Sequence, residues 1–428
     1  MTLSDENRLE GPWRLRIAML MGAHVVGTIN VVSVLAMAPV IQRELDLSAT
    51  EVGLVMTAYY CGQAIWSLPA GAFVDRIGVG RSLIGAMIGI ALGTIVVATA
   101  PNLTFILLGM LLMGSGYSFT NPSTAKGVFD WFPQHRRATA MGAKQTGVPL
   151  GGVIAAGLGA LAATVDWRVI LGGVVILTLI FGIACMNLSE PQKERPEVRT
   201  SPFAGLRELF GDMNYGRFVL SNLLYNFGQG NFFAFLTLFI RDAAMASQEF
   251  ASLCLGVAQA ASAAARFGWG VVSDMLMGGK RKGLVVGIGV VSAILLVMMP
   301  LMSAGWPVFA TLLIVSGLGI TVASYAGLMQ TMSVEAVAPR LTGSAVGYNG
   351  ISTHLGGIIG PPAFGAVVDA TGSYDGGWLL TGAVVAVGVL VVGLGFKAGR
   401  NPSPQPSPAR GEGVETKTKR RGKDRRRR

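Results

Sequence analysis

Charge is scarce in this sequence. Only 13% of its 428 residues are charged, against 51% hydrophobic, and the mean hydropathy is +0.55. A soluble domain carries about 25% charge, so a soluble globular fold is excluded for most of the chain. Cysteine is scarcer still. The three present, Cys61, Cys185 and Cys254, lie in apolar runs with no metal-binding or disulfide spacing. Histidine also numbers three, and no His/Asp cluster or Ser/Lys dyad occurs at helical spacing. No intramembrane enzyme, resident metal or cofactor is therefore expected. The 59 glycines are abundant, but none follows a strand pattern, which excludes a phosphate-binding loop. The N-terminal stretch MTLSDENRLEGPWRLR is polar and mixed in charge, unlike a cleavable signal.

What fills the chain is apolar runs long enough to cross a bilayer. They lie near 17–41, 50–71, 82–100, 103–128, 138–163, 168–188, 217–240, 249–273, 283–302, 308–331, 342–366 and 376–397, numbered here spans 1 to 12. The predicted fold is an all-α membrane protein with twelve transmembrane helices in two pseudo-symmetric six-helix bundles. Residues 1–16 form the N-terminus, 17–188 the first bundle, 189–216 a charged, proline-containing linker, 217–397 the second bundle and 398–428 a tail. Of the 34 Lys/Arg, only Arg43, Arg168 and Arg241 fall in loops on one side of this arrangement. The excess on the other side predicts that both termini are cytoplasmic. Trp167, Trp306 and Trp378 fall at the outer interface and Trp13 and Trp131 at the inner one, in the pattern of aromatic belts.

The formal net charge of +11 does not point to nucleic acid. Residues 401–428 alone hold ten Lys/Arg and three Asp/Glu. Their Pro/Ser-rich, then basic, composition cannot bury a core and predicts a disordered tail. The expected partners are a lipid bilayer and a small anionic solute, with or without a coupled proton. A monomer is expected.

The two halves resemble each other. RRATAMGAKQTGVPLGG (136–152) aligns with RLTGSAVGYNGISTHLGG (340–357), Gly114 and Gly116 align with Gly317 and Gly319, and Asp75 aligns with Asp274. Near-constant offsets in three places argue for duplication of a six-helix unit.

With this repeat, residues 14–397 resemble the major facilitator superfamily, whose transport site lies at the midplane between two halves. The loop after span 2, Gly71-Ala72-Phe73-Val74-Asp75-Arg76-Ile77-Gly78-Val79-Gly80-Arg81, is similar to that family's G-x-L-A-D-R-x-G-R-K motif. Gly71, Asp75, Arg76 and Gly78 fit; the basic pair is replaced by Val79-Gly80, with Arg81 one place late. The resemblance implies a conformational gate at Gly71, Asp75, Arg76, Gly78 and Arg81, with Asp274 in the second half. In the family this loop locks the cytoplasmic side of the outward-open state, with the aspartate near the start of span 11, where the helix dipole favours a carboxylate. KQTGVPLGG (144–152) resembles bacterial permeases of the cyanate and organic-acid type. Pro361-Pro362 is expected to break span 11.

Twenty-three acidic residues are present, yet none falls well inside a span. Glu51, Asp75, Asp130, Asp274 and Glu335 all mark span ends. Three cations do fall inside: Lys126, Lys144 and Arg266. A charge at bilayer depth needs a partner, and a bound anion supplies one. Snorkelling to the interface is the competing explanation, and it suits Lys144 best. Polar residues on shared helix faces extend the candidate substrate site: Asn222, Asn226 and Gln229 on span 7, Gln259 with Arg266 on span 8, His24 on span 1, and Tyr348 with Asn349, the repeat mate of Lys144, on span 11. The expected function is secondary transport of a small organic anion, a carboxylate, by alternating access. Proton-coupled drug efflux and a transporter-like sensor are the alternatives.

Overall fold

The computed structural model describes residues 13–67, 69–188, 205–277, 280–338 and 341–397. Most of the linker, 189–204, and the tail, 398–428, lie outside the described residues. The first half runs through α1 (Trp13–Ala36), α2 (Ala38–Glu44), α3 (Ala49–Trp66), α4 (Pro69–Ile77), α5 (Val79–Ala98), α6 (Leu103–Tyr117), α7 (Thr120–Trp131), α8 (Gln134–Gln145), α9 (Gly147–Leu161) and α10 (Trp167–Ala184). After the short α11 (Leu206–Gly211), the second half runs through α12 (Met213–Asp242), α13 (Gln248–Val271), α14 (Arg281–Met298), α15 (Val308–Ile320), α16 (Ala326–Glu335), α17 (Thr342–Thr371) and α18 (Asp375–Leu390). Single helices form spans 3, 6, 7, 8, 9, 11 and 12. Spans 1, 2, 4, 5 and 10 are each built from two segments. Nine helical stretches are long and apolar enough to cross a membrane among the described residues.

Caps explain where several spans begin. Ser48 and Glu51 form a capping box on α3, with the Glu51 amide donating to Ser48 Oγ at 3.2 Å and the Ser48 amide to Glu51 Oε2 at 2.8 Å. Asp212 accepts from the amides of Asn214 and Tyr215, so α12 begins at Met213 rather than near 217.

Span 11 does not break at its prolines. α17 is continuous through Pro361 and Pro362. Pro362 has no N–H to give to the carbonyl of Ile358, but Thr57 Oγ donates to that oxygen at 2.8 Å from α3, so the freed acceptor is satisfied by the neighbouring helix. Among the five interrupted spans, the breaks in spans 4 and 10, at Ser118–Phe119 and Thr321–Tyr325, are at positions related by the same repeat that pairs Gly114 with Gly317.

The chain enters and leaves on one face of the bundle, here the terminal face; the loops after spans 1, 7 and 11 lie on the far face. Among the described residues, the hydrogen bonds joining the halves run from mid-span to the far face. Thr237 Oγ donates to the Leu35 carbonyl, and Gln248 Nε2 to the carbonyls of Ala36 and Gly159. Arg43 pairs with Asp242 at 2.9 Å, and Tyr374 donates to the other Asp242 oxygen. α3 and α17 pack with backbones almost touching. A Cβ on Gly53 would fall 2.4 Å from the Pro361 oxygen, and one on Gly365 2.3 Å from the Ala49 oxygen. Only glycine fits at such crossings.

The expected outer aromatic belt needs correction. Trp167 and Trp378 are at the far face, but they are 1% and 0% exposed. They sit inside the helix packing, Trp167 donating to Glu44 Oε2 at 2.6 Å and Trp378 standing edge-on to Phe239 and Phe364.

Candidate functional site

Lys144 lies at the end of α8, 0% exposed. Its ammonium donates to Asn121 Oδ1 at 2.9 Å and to Thr124 Oγ at 3.1 Å, both on α7. Both partners are neutral. The Thr124 hydroxyl also meets His24 Nε2 of α1 at 3.0 Å. Thr28, one turn along α1, contacts the Tyr117 hydroxyl at 3.3 Å. The close approach of α1 to α9 comes from Gly147 and Gly151, where a Cβ would meet the Met21 and Val25 carbonyl oxygens at 2.4 Å. Four helices of the first half thus converge on one buried cation without supplying a carboxylate.

Arg266 is its counterpart on α13 of the second half, half-buried. Nη2 donates to the Ala323 carbonyl at 3.1 Å and Nε lies 3.4 Å from Ser262 Oγ. Nη1 makes no hydrogen bond among the described residues. Ala323 belongs to the interruption of span 10, where helical pairing is lost and carbonyls are left for side chains to satisfy. Ser262 Oγ also donates to Ala323, Gln229 Nε2 donates to Val322, and Trp269 Nε1 to Ile320. α9 packs against α13 across the halves, Gly159 beside Ser252 and Gly152 beside Gln259, so Lys144, just before α9, and Arg266, two turns beyond Gln259 on α13, lie toward the same end of that contact. The two cations therefore flank one region between the halves. Tyr60 of the first half, whose ring centroid is 6.2 Å from that of His354, lines it from α3.

The remaining sequence candidates divide. Gln259 is buried where its amide fills the space beside Gly152. Asn222 is committed to α17, donating to Ser352 Oγ at 2.7 Å, Thr353 Oγ at 3.0 Å and the Asn349 carbonyl. Asn226 donates back to Asn222. Asn349 is 8% exposed, with no partner for its Oδ1 among the described residues. Tyr348 points away from the cations into a cluster with Phe210 and Tyr215. Lys126 is not an unpaired cation. Its ammonium is 2.9 Å from Asp130 and 3.8 Å from Asp75. Asp130 is four residues along α7, on the same helix face.

Among the gate residues, Gly71 has open space around it, and Gly78 takes φ of 85° at the start of α5. Arg76 and Arg81 are exposed. Asp75, with a side chain 69% exposed, has Lys126 as an ion-pair partner and makes no hydrogen bond to α17 among the described residues. Asp274 falls in the π-helical turn Val272–Leu276, and its side chain lies outside the described residues.

One residue was missed from sequence. Asp369, near the far end of α17, accepts from the backbone amides of Ala49 at 2.8 Å and Thr50 at 2.9 Å. It caps the first turn of α3 across the interface between the halves. The signal was present: Gly365-Ala366-Val367-Val368-Asp369-Ala370-Thr371-Gly372 repeats the G-A-x-V-D-x-x-G pattern of Gly71–Gly78.

No group of His, Cys, Asp and Glu arranged to hold a metal occurs among the described residues.

The sequence model of the Major Facilitator Superfamily matches residues 19–219 and again 218–427. A hexuronate transporter of Bacillus subtilis is 28% identical over 88% of this chain and 94% of its own length. A probable sulfoacetate transporter of Cupriavidus necator is 22% identical over 86% and 90%, and a probable L-galactonate transporter of Escherichia coli 26% identical over 82% of each. Among solved structures, a bacterial homologue of the human lysosomal transporter Spinster superimposes with a TM-score of 0.72 at 16% identity, covering 90% of this chain and 97% of that one.

Proposed function

The chain belongs to the Major Facilitator Superfamily, a multi-pass membrane transporter and not an enzyme, and on that premise we propose that it moves a small organic anion, a carboxylate, by alternating access. It does so in the cytoplasmic membrane with both termini inside. The observation that carries the reading is the pair Lys144 and Arg266: one basic side chain on each half, each hydrogen-bonded to neutral oxygens and to no carboxylate among the described residues. Holding an ion away from water costs several kcal/mol even after the protein relaxes, and an anion placed between the halves offsets that cost. The named substrates of the hexuronate, sulfoacetate and L-galactonate transporters support it. A carboxylate site for a cationic drug, which the efflux reading would want at mid-span, has no candidate among the described residues.

Lys144→Gln preserves hydrogen bonding to Asn121 and Thr124 and removes the charge. It should insert and fold normally. It should weaken anion binding by about 1.5–3 kcal/mol, the range of a hydrogen bond to a charged group, or roughly 10- to 150-fold. Lys144→Arg should retain part of the activity. Substrate-dependent thermal shift and uptake into proteoliposomes, with and without a pH gradient, measure both. Wild-type binding and transport by Lys144→Gln would make the lysine a packing anchor and leave Arg266 as the charge that matters.

A further inference from the structure

We infer that the substrate carries two negative groups: that this site takes a short dianion, a dicarboxylate or a sulfonate-carboxylate, with one acidic group on each half. The inference rests on the anion reading above and goes further in fixing the charge of the ligand.

Lys144 and Arg266 are both basic side chains in a region with no carboxylate among the described residues. Lys126 has Asp130 and Asp75, Arg43 has Asp242, Arg168 has Glu44 and Arg281 has Glu335, all near span ends. Other basic side chains near span ends, Arg137, Arg217 and Lys282, use carbonyl oxygens but lie close to the interfaces; among the described residues the two at mid-span have carbonyl, hydroxyl and amide oxygens and no carboxylate. A monoanion bound between them compensates one charge and leaves the other in a low-dielectric setting, where an unpartnered ion is costly. A dianion compensates both.

Donor capacity agrees. An ammonium has three N–H groups and a guanidinium five. Lys144 uses two, on Asn121 and Thr124. Arg266 uses Nε and one N–H of Nη2, leaving Nη1 whole. Each cation thus keeps donors for an acidic group of its own. They also stand on different structural supports: Lys144 on α8 against α7, Arg266 on α13 against the interrupted segment of span 10. One carboxylate reaching both would have to draw two halves onto a single group, whereas two groups at opposite ends of a short molecule let each half keep its own anchor.

The test compares acids matched in size and differing in charge on the purified full-length protein: succinate with butyrate, sulfoacetate with propionate, and glucarate with gluconate, near neutral pH. Binding is read by thermal shift and by competition in proteoliposome counterflow. Wild type should bind the dianion of each pair roughly 10- to 150-fold more tightly, the worth of one further charge-assisted hydrogen bond. Lys144→Gln and Arg266→Gln should each bring the two members of a pair close to parity by losing more affinity for the dianion than for the monoanion. Monoanions binding wild type as tightly as their dianionic partners would overturn the inference and leave the anion reading standing, since both cations would then serve one group. Failure of every acid in the panel to bind would sink both. The wild-type comparison decides the matter by itself if either variant fails to fold.

Discussion

The two faces of the molecule carry the same short motif in opposite states. On the far face Asp369 of Gly365–Gly372 is engaged, both carboxylate oxygens held by the amides that open α3. On the terminal face Asp75 of Gly71–Gly78 is mostly exposed and held at 3.8 Å by Lys126, and Leu341, the residue before α17, caps nothing with its side chain. α3 and α17 pack antiparallel, and Asp369 near the end of α17 meets the amide-bearing start of α3, while Asp75 lies on α4, the segment that continues span 2 beyond α3. A carboxylate at a helix N-terminus satisfies orphan N–H groups and meets the positive end of the helix dipole. At the far face a carboxylate and backbone amides thus join α17 to α3; at the terminal face Asp75 makes no hydrogen bond to α17 among the described residues. The comparison teaches that a conformational lock can be built from a repeated local motif, with the state decided by which copy finds its amides.

The largest effect is expected at the engaged copy. Asp369→Asn replaces two charge-assisted hydrogen bonds with at most one neutral one, a loss on the order of 2–3 kcal/mol, and should move the population toward opening at the far face by roughly 30- to 150-fold. Single cysteines placed on each face of a protein stripped of Cys61, Cys185 and Cys254 would report it through maleimide labelling. Labelling unchanged on both faces would show that Asp369 is a cap of no conformational consequence.

Asp75→Asn should act in the other direction. The described state gains little from Asp75, so the substitution removes stabilisation only from the opposite state and favours the arrangement seen here. The expected shift is about 1–2 kcal/mol, the scale of a carboxylate at a helix N-terminus. The same labelling should show reduced reactivity on the far face. An increase there would contradict the assignment of the two copies to opposite states.

The smallest effect belongs to Arg43 and Asp242. They bridge the halves at the far face, but their side chains are 56% and 31% exposed, and an exposed pair contributes about 0.2–1 kcal/mol. A double-mutant cycle with Arg43→Gln and Asp242→Asn, read by thermal shift at low and high salt, should give a coupling in that range that fades as salt rises. Coupling that is large and insensitive to salt would move the lock from Asp369 to this pair.

Much of this was legible beforehand. Span number, the duplication and the loneliness of Lys144 and Arg266 follow from composition and spacing, because bilayer thickness and ion solvation act on each segment locally. Lys126 was expected as a third unpaired cation, although Asp130 at i+4 on the same helix was the signal that it is paired. Other features were not legible. Pro361-Pro362 looks like a break until Thr57, some three hundred residues away, donates to the Ile358 oxygen. Tyr348 shares a helix with Asn349 yet packs on Phe210, because its neighbours come from α11 and α12.

The sequence by itself determined that this chain lies in a membrane, that it is built twice over, and that two mid-span cations lack acidic neighbours along the chain. Each of these is a property of segments short enough for hydropathy, helical periodicity and charge spacing to govern. Only the tertiary structure decided which atoms hold Lys144 and Arg266, that the two cations face one region from opposite halves, and that Asp369 rather than Asp75 has a helix N-terminus to cap. Those outcomes depend on how two six-helix bundles dock, and docking is set by glycine-mediated backbone contacts and hydrogen bonds between residues hundreds of positions apart, which no local pattern contains.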